Sequence, residues 1–443
     1  MITETISGLW WRRFARREAC SWEELEQFPK CRPDERRRIL SERLLGQVQH
    51  FGNRRDALAE WREAAKIRNP EDLWKIWPTL PIVTKQTLQA QFPAEELQSR
   101  FRLQGTVRST GGSTGEPTVF FHDTAMMRAT NAASTYTRMQ MGWHPGMATV
   151  KIWGSERDIQ RSVGLRTRIY NRLLREIVLD GYGLTDDTVT RVAAAVRKQR
   201  PVAMWGFTSM LEFVAKRLVE RGECLPAGWV RTAWNGGEML FAEQVEIFRK
   251  AFGVPIFNRY GGRELSAMAC QYTDGGPLFA MRPWLFLEVV NEKGLPAAPG
   301  ESGRLLWTST ICRGTPFLRY EIGDLGTFLP AHLDESGIGA LQDLQGRTAG
   351  LITLRDGRTI NCLFWNHLFK EFSEVEQFQV VIRDSRPLSI LLKGGGFTAV
   401  REHNLRDILL RFLGSTPVDL EWVSAIPVTR HGKLVQVVRE RSD

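Results

Sequence analysis

The stretch RSTGGSTGEPTVFF, Arg108 to Phe121, decides how the rest of the chain is read. Gly111, Gly112 and Gly115, with Ser113 and Thr114 between them, let the backbone turn tightly and bring its N–H groups near a ligand without interference from Cβ atoms. Hydroxyls at Ser109, Thr110, Ser113, Thr114 and Thr118 add donors, and consecutive N–H groups form a concavity suited to an anion. Phosphate is the ligand such a loop predicts; an ordinary surface loop is the alternative this stretch alone leaves open. A P-loop is excluded, because Glu116-Pro117 stand where that motif requires lysine and a hydroxyl.

Outward toward the C-terminus, strand and helix patterns alternate. Asp123 is placed to cap a helix reaching Met139, and VKIWGS, Val150 to Ser155, reads as a short buried strand. Val189, Val192, Ala193 and Val196 recur at helical spacing between Thr185 or Asp186 and Arg197, Lys198 and Arg200, so both helix ends are signalled before Pro201 stops the chain. PVAMWGF, Pro201 to Phe207, is the next strand, followed by the helical stripe Leu211, Val214, Ala215 and Leu218, ended by Gly222. WVRTAW, Trp229 to Trp234, a helix through Val245, Phe248 and Phe252, and the strand PIFNRY, Pro255 to Tyr260, complete the series. Such alternation predicts βαβ units and a parallel sheet. Open sheets of that kind bind ligands beyond the carboxyl ends of their strands. Asn235-Gly236-Gly237-Glu238 and Tyr260-Gly261-Gly262-Arg263-Glu264 fall at two such ends, and the spacing predicts both on one rim. Either glycine pair alone is equally a tight turn with a solvated acid; two on successive units point to a ligand.

Beyond Leu285, LFLEVVNEKG, GRLLWTST and FLRYEIGDLGTFL read as antiparallel strands or a small barrel over 285–345. From Gly346 a hairpin around Asp356-Gly357, a helix over Leu363 to Phe372, two strands and a helix bearing Leu405, Ile408, Leu409 and Phe412 predict a separate small α+β domain. Upstream, residues 1–100 read as amphipathic helices broken at Pro29, Pro33, Pro70, Pro78 and Pro81, with Thr84 as a helix cap. Across the 443 residues, 42% hydrophobic and 25% charged content exclude disordered and fibrous classes. The net charge of +10 favours polyanionic ligands, yet the basic residues follow no nucleic-acid recognition motif. Cys20, Cys31, Cys224, Cys270, Cys312 and Cys362 lie too far apart for a CxxC site, which predicts a reducing, cytoplasmic setting. No run reaches the roughly 20 apolar residues of a spanning helix, so no transmembrane segment is expected.

Five fragments stand in order: TGGSTGEPT, NGGE, RYGGRE, LRYEIGDLG with GRTAGLI, and TRHGKLVQ. From residue 100 to the C-terminus this set resembles the adenylate-forming (acyl-activating, AMP-binding) enzymes, and most closely their phenylacetate–CoA ligase-like branch with its CapK-like relatives. The resemblance implies an α/β fold. A large N-terminal domain, 1–345, would hold mostly parallel sheets flanked by helices and a barrel-like antiparallel part; a small mobile α+β domain, 346–443, would carry a catalytic lysine. It also implies the chemistry: a carboxylate attacks the α-phosphate of ATP, pyrophosphate leaves, and a thiol or amine takes the acyl group from the acyl-AMP. Charge developing on phosphorus and pyrophosphate calls for preorganised donors, a cation and Mg²⁺.

On that pattern Thr110, Gly111, Gly112, Ser113, Thr114 and Gly115 hold the pyrophosphate, Glu264 binds Mg²⁺, and Tyr260, with Gly261, packs against adenine. Asp324 accepts hydrogen bonds from the ribose, and Gly236, Gly237 and Glu238 border the adenine and acyl pocket. Arg347 lies at the domain junction, and Lys433 is the catalytic lysine. Three departures stand out. Glu116 replaces a frequent lysine, Arg263 replaces the usual hydroxyl residue and either restores the lost charge or pairs with a nearby acid, and Ala349-Gly350 replace an acidic hinge pair. Trp153, Trp205, Phe207 and Trp234 follow the strands near the site and either surround an aromatic acid or, in a chain with fifteen tryptophans, fall there by chance. Coenzyme A is the expected acceptor. An amine acceptor yielding an amide, and a non-catalytic nucleotide-binding protein of polysaccharide assembly, are the alternatives.

Overall fold

Local signals place the first helices of the computed structural model, which describes residues 19–94, 96–97, 104–109, 118–153, 165–180, 185–330, 339–347, 351–353, 359–361, 365, 368–369, 372, 374–383, 387–414, 416–426 and 437–440. Helices α1 (Ala19–Gln27), α2 (Pro33–Gly52), α3 (Ala59–Ala64), α4 (Pro70–Ile76) and α5 (Lys85–Gln91) follow one another. Pro33 and Pro70 occupy first turns, where a missing N–H costs nothing. The Asn69 side chain accepts from the Glu71 amide, and Thr84 forms a reciprocal capping box with Thr87. In α2, Leu40, Leu44, Val48 and Phe51 form one buried stripe, which packs into the same core as the antiparallel strands described below. Arg319 fastens the two layers: its buried guanidinium donates to the carbonyls of Pro78, Leu80 and Gly294 and pairs with Glu288 at 3.1 Å.

Strands β1 (Gly105–Ser109) and β2 (Val119–Asp123) pair antiparallel, Ser109 opposite Val119. Asp123 then caps α6 (Thr124–Gln140) by accepting from the Met126 amide at 2.9 Å. The alternating region follows as β3 (Ala148–Trp153), α7 (Leu165–Leu174), β4 (Glu176–Asp180), α8 (Asp186–Gln199), β5 (Val202–Gly206), α9 (Thr208–Glu220), β6 (Val230–Asn235), α10 (Ala242–Phe252) and β7 (Ile256–Phe257). The strands form a five-stranded sheet in the order β4-β3-β5-β6-β7, with every neighbour parallel. One face buries Val150, Ile152, Met204 and Ala233 against the stripes of α8, α9 and α10.

The predicted strand from Pro255 to Tyr260 is in fact two. Asn258 separates β7, the last parallel strand, from β8 (Arg259–Gly262), which pairs antiparallel with β9 (Ser266–Cys270). The second glycine pair therefore lies in an antiparallel hairpin and not at a parallel strand end. The antiparallel region accordingly begins at Arg259, well before the expected Leu285. It continues through β10 (Leu278–Ala280), β11 (Leu285–Val290), β12 (Ser302–Ser309), β13 (Tyr320–Phe328) and β14 (Ala340–Arg347), giving a seven-stranded sheet in the order β11-β12-β13-β14-β10-β9-β8.

The remaining strands are β15 (Leu351–Thr353) and β16 (Thr359–Asn361), an antiparallel pair, then β17 (Val375–Arg383), β18 (Leu388–Gly394), β19 (Val418–Trp422) and β20 (Val437–Glu440). The last four form one mixed sheet: β17 and β18 are antiparallel, and β19 and β20 add parallel at the two edges. Helix α11 (Ala399–Leu413), capped by Thr398, buries Leu405, Leu409 and Leu413 in the same core as Val380, Ile390 and Leu392. Two compact units result: 1–109, 119–322 and 326–344 form one, and 110–118, 323–325 and 345–443 form the other. Among the described residues no helix is long and apolar enough to cross a membrane.

Candidate active site

The second face of the parallel sheet is aromatic. Lys151, Trp205 and Trp234 are register partners on β3, β5 and β6, so the pleat sends all three side chains away from the helix-covered face. Toward the strand ends Trp153 stacks on Phe207, with 4.1 Å between centroids and 18° between planes, and lies 5.1 Å from Trp205. Such pairs add about 1 kcal/mol beyond area burial and hold the rings in fixed orientation. The Gly236-Gly237 turn lies against these rings: a Cβ at Gly236 would stand 3.1 Å from Trp205 Nε1, and one at Gly237 only 2.5 Å from Phe207 Cε1. Gly237 also has φ +75, so both conformation and space require glycine there. Trp234 is fully buried among Met141, Trp143, Met147 and Cys270 and backs Trp205 from behind, 6.4 Å between centroids.

Asn235, buried at the end of β6, positions this turn. Its Nδ2 donates to the Thr208 hydroxyl and to the Glu238 carbonyl, both at 3.0 Å, and its Oδ1 accepts the Arg259 amide at 2.9 Å. One amide side chain thereby ties the NGGE turn, the start of α9 and the start of β8 together. The β8–β9 hairpin then presents Tyr260, Gly261, Gly262, Arg263 and Glu264. Gly261 is held so close to β9 that a Cβ would lie 2.3 Å from the Ser266 carbonyl oxygen, and Ser266 itself adopts φ +64, a left-handed conformation costly for a residue with a Cβ. Glu264, only 2% exposed, carries its carboxylate inward, with the Tyr320 hydroxyl 3.5 Å from Oε1. His122 Nε2 donates to the Glu264 carbonyl at 2.6 Å, and burial holds the imidazole pKa down to about 4, so the ring is neutral near pH 7. Arg263 is exposed and donates to the carbonyl of Ser109, the residue just before the glycine-rich loop.

The structure thus gathers Trp153, Trp205, Phe207, Gly236 and Gly237 around one turn, with Glu238 following it, and brings Tyr260, Gly261, Arg263 and Glu264 into a neighbouring hairpin joined to it by Asn235. Asp324 lies in β13 and is 9% exposed. Arg347 ends β14. Thr110 to Gly115, Ala349, Gly350 and Lys433 lie outside the described residues, as does the side chain of Arg347. Asn235 in NGGE, Arg259 in RYGGRE and Tyr320 in LRYEIGDLG lie within the sequence motifs, which assign them no role of their own. Lys151 is marked only as the one charge in the apolar strand ATVKIW; Arg138 and His122 acquire their meaning through partners distant in the chain.

Among the described residues no cluster of three or more histidine, cysteine, aspartate or glutamate side chains is placed to hold a metal. A single buried carboxylate, Glu264, matches the usual manner of Mg²⁺ beside a nucleotide, which takes one or two carboxylates and completes its shell with phosphate oxygens and water.

No family model matches the chain. Among curated proteins it is similar to CapK of Staphylococcus aureus, 23% identical over 376 residues that cover 80% of this chain and 78% of the relative. It is also similar to the phenylacetate–coenzyme A ligase of Escherichia coli (strain K12), 22% identical over 429 residues covering 89% and 92%. A solved 2-hydroxyisobutyryl-CoA ligase, in its postadenylation state with 2-HIB-AMP, superposes with TM-score 0.63 at 18% identity over 92% of this chain and 90% of that one. In sequence the chain is thus similar to CapK and to a phenylacetate–CoA ligase, and in fold to a solved acyl-CoA ligase.

Proposed function

We propose that the chain activates a carboxylic acid with ATP, forms an acyl-AMP with release of pyrophosphate, and passes the acyl group to coenzyme A. The observation that carries this reading is the joining of two ligand-facing turns through Asn235: an aromatic-lined glycine turn at the end of β6, and a hairpin that buries the Glu264 carboxylate. The names of the similar proteins, acid–CoA ligases among them, support the same chemistry.

In this reading the acid lies along Trp153, Trp205 and Phe207, which exclude water from its skeleton and leave its carboxylate at the Gly236-Gly237 turn. Tyr260 packs against adenine, and Asp324 accepts the ribose hydroxyls. Thr110 to Gly115 hold the phosphates, and Arg263, already bonded to Ser109, adds positive charge where Glu116 removes it. Glu264 would hold Mg²⁺, which when bound neutralises charge on the phosphates. The His122 and Tyr320 hydrogen bonds fix the Glu264 backbone and carboxylate before substrate arrives. Lys433, within residues 346–443, would stabilise charge at the reacting carboxylate and α-phosphate, and Arg347 would act near the ribose or phosphate. Preorganised donors of this kind typically supply about 10²- to 10³-fold each.

The test is product identification. Incubation with ATP, Mg²⁺, coenzyme A and a panel of carboxylic acids should yield acyl-CoA and AMP by mass spectrometry. Amide formation in parallel reactions with amines, and no thioester with any acid, would reassign the acceptor.

A further inference from the structure

The aromatic face of the parallel sheet also carries more positive charge than an apolar acid requires. Lys151 Nζ stands 4.4 Å from the Trp205 ring centroid and 4.9 Å from that of Trp153. The Arg138 guanidinium lies 5.3 Å from the same Trp205 ring and has a carboxylate nearby, Glu176 at 3.6 Å. Arg259 has none among the described residues. Its guanidinium donates to the Ser134 hydroxyl at 3.3 Å, and its Nε is buried with no partner. The group across the hairpin from it, the Cys270 thiol, is pushed up to about 12 by burial and so supplies no negative charge. Burial first, and then the nearby Arg138, lower the pKa of Arg259. A second donor, Trp205 Nε1, is likewise buried without a partner beside Gly236.

A half-buried guanidinium whose side-chain partner is one hydroxyl gains by pairing with an anion. Its backbone is fixed by Asn235 at the very turn where the acid's carboxylate is proposed to sit. We infer that the acid activated here carries a second anionic group, remote from the carboxylate that is adenylated, and that Arg259 receives it, with Arg138 and Lys151 raising the local positive potential. This deepens the acid-activation reading and rests on it for the location of the pocket. Stacked Trp153 and Phe207 suit a planar skeleton between the two charges, as in an aryl dicarboxylic acid.

The test compares phenylacetate with 4-carboxyphenylacetate, and hexanoate with adipate, in ATP-dependent pyrophosphate release, with calorimetric binding of the same acids alongside. The wild type should favour the distal carboxylate by at least tenfold in kcat/KM, through KM. Arg259→Gln should bring that ratio close to one, and Arg259→Lys should keep a substantial part of it. If Arg259→Gln does not fold, Lys151→Met reads the same ratio and should reduce it at least threefold. A wild-type ratio at or below one, or a ratio unchanged in the folded variants, overturns the inference. Should no acid release pyrophosphate, the adenylation reading fails on its own, and calorimetry still decides this one: tenfold tighter binding of the dianionic acid, lost in Arg259→Gln, supports it, and equal binding overturns it.

Discussion

Asn235 Oδ1 accepts the Arg259 amide at 2.9 Å, across the chain from one sheet to the other. The bond makes the end of a parallel strand and the start of an antiparallel hairpin a single rigid element. Asn235→Ala would strand the Arg259 donor and release the Glu238 carbonyl and Thr208 hydroxyl. We expect a loss of about 2 to 3 kcal/mol in urea unfolding, the cost of leaving such groups unpaired, and a raised KM for the acid. Unchanged stability and KM would deny Asn235 this role.

Gly237 and Gly253 separate backbone cost from site geometry. Both are left-handed, at φ +75 and +72, so alanine costs about 1 to 2 kcal/mol at either. At Gly253 the added Cβ meets nothing nearer than 3.7 Å, whereas at Gly237 it meets Phe207 at 2.5 Å. Gly253→Ala should lower stability with acid KM intact. Gly237→Ala should in addition raise acid KM about tenfold, with part of the loss restored by Phe207→Leu. Equal kinetics in the two alanine variants would remove Gly237 from the acid pocket.

Glu264 and Tyr320 should differ in degree. Glu264→Gln, which removes the carboxylate itself, is expected to lower kcat/KM for MgATP about 100-fold, and Tyr320→Phe, which removes a group that orients it, about 10-fold. Titrating Mg²⁺ at fixed ATP should show the loss as a raised metal requirement. A Glu264→Gln variant with the wild-type Mg²⁺ curve would place the metal elsewhere.

His50 gives the fold a pH dependence of known sign. Its ring nitrogen meets the Arg313 carbonyl at 3.0 Å, and burial lowers its pKa from the ordinary 6.5. As pH falls through 6.5 the unfolded chain takes up a proton before the folded one does, so stability declines on the acid side. The urea midpoint of the wild type should therefore fall more between pH 7.5 and 5.5 than that of His50→Gln. Equal falls would show that His50 is not linked to folding.

Elements bounded by local chemistry were legible before any coordinates. Thr84, Asp123, Thr185, Pro201 and Gly253 each mark a boundary within a residue or two of where it lies, because caps and breakers act on their own neighbours. The break at Asn258 was not legible, since PIFNRY is apolar and β-prone throughout and only pairing with two different sheets divides it. For the same reason the edge strands β19 and β20 escaped notice, as they are recruited by β18 and β17 from far along the chain. At the site, glycine pairs and tryptophans announced themselves by composition. Arg259 did not, because what distinguishes it is that no carboxylate among the described residues pairs with it.

Acid-dependent exchange of labelled pyrophosphate into ATP tests acid activation most directly, since it requires reversible formation of acyl-AMP and no acceptor. The wild type should exchange only when a suitable carboxylic acid is present, and Lys433→Ala should lose about 100-fold or more while retaining ATP binding. ATP binding without exchange for any acid in a broad panel, or near-normal exchange in Lys433→Ala, would contradict it.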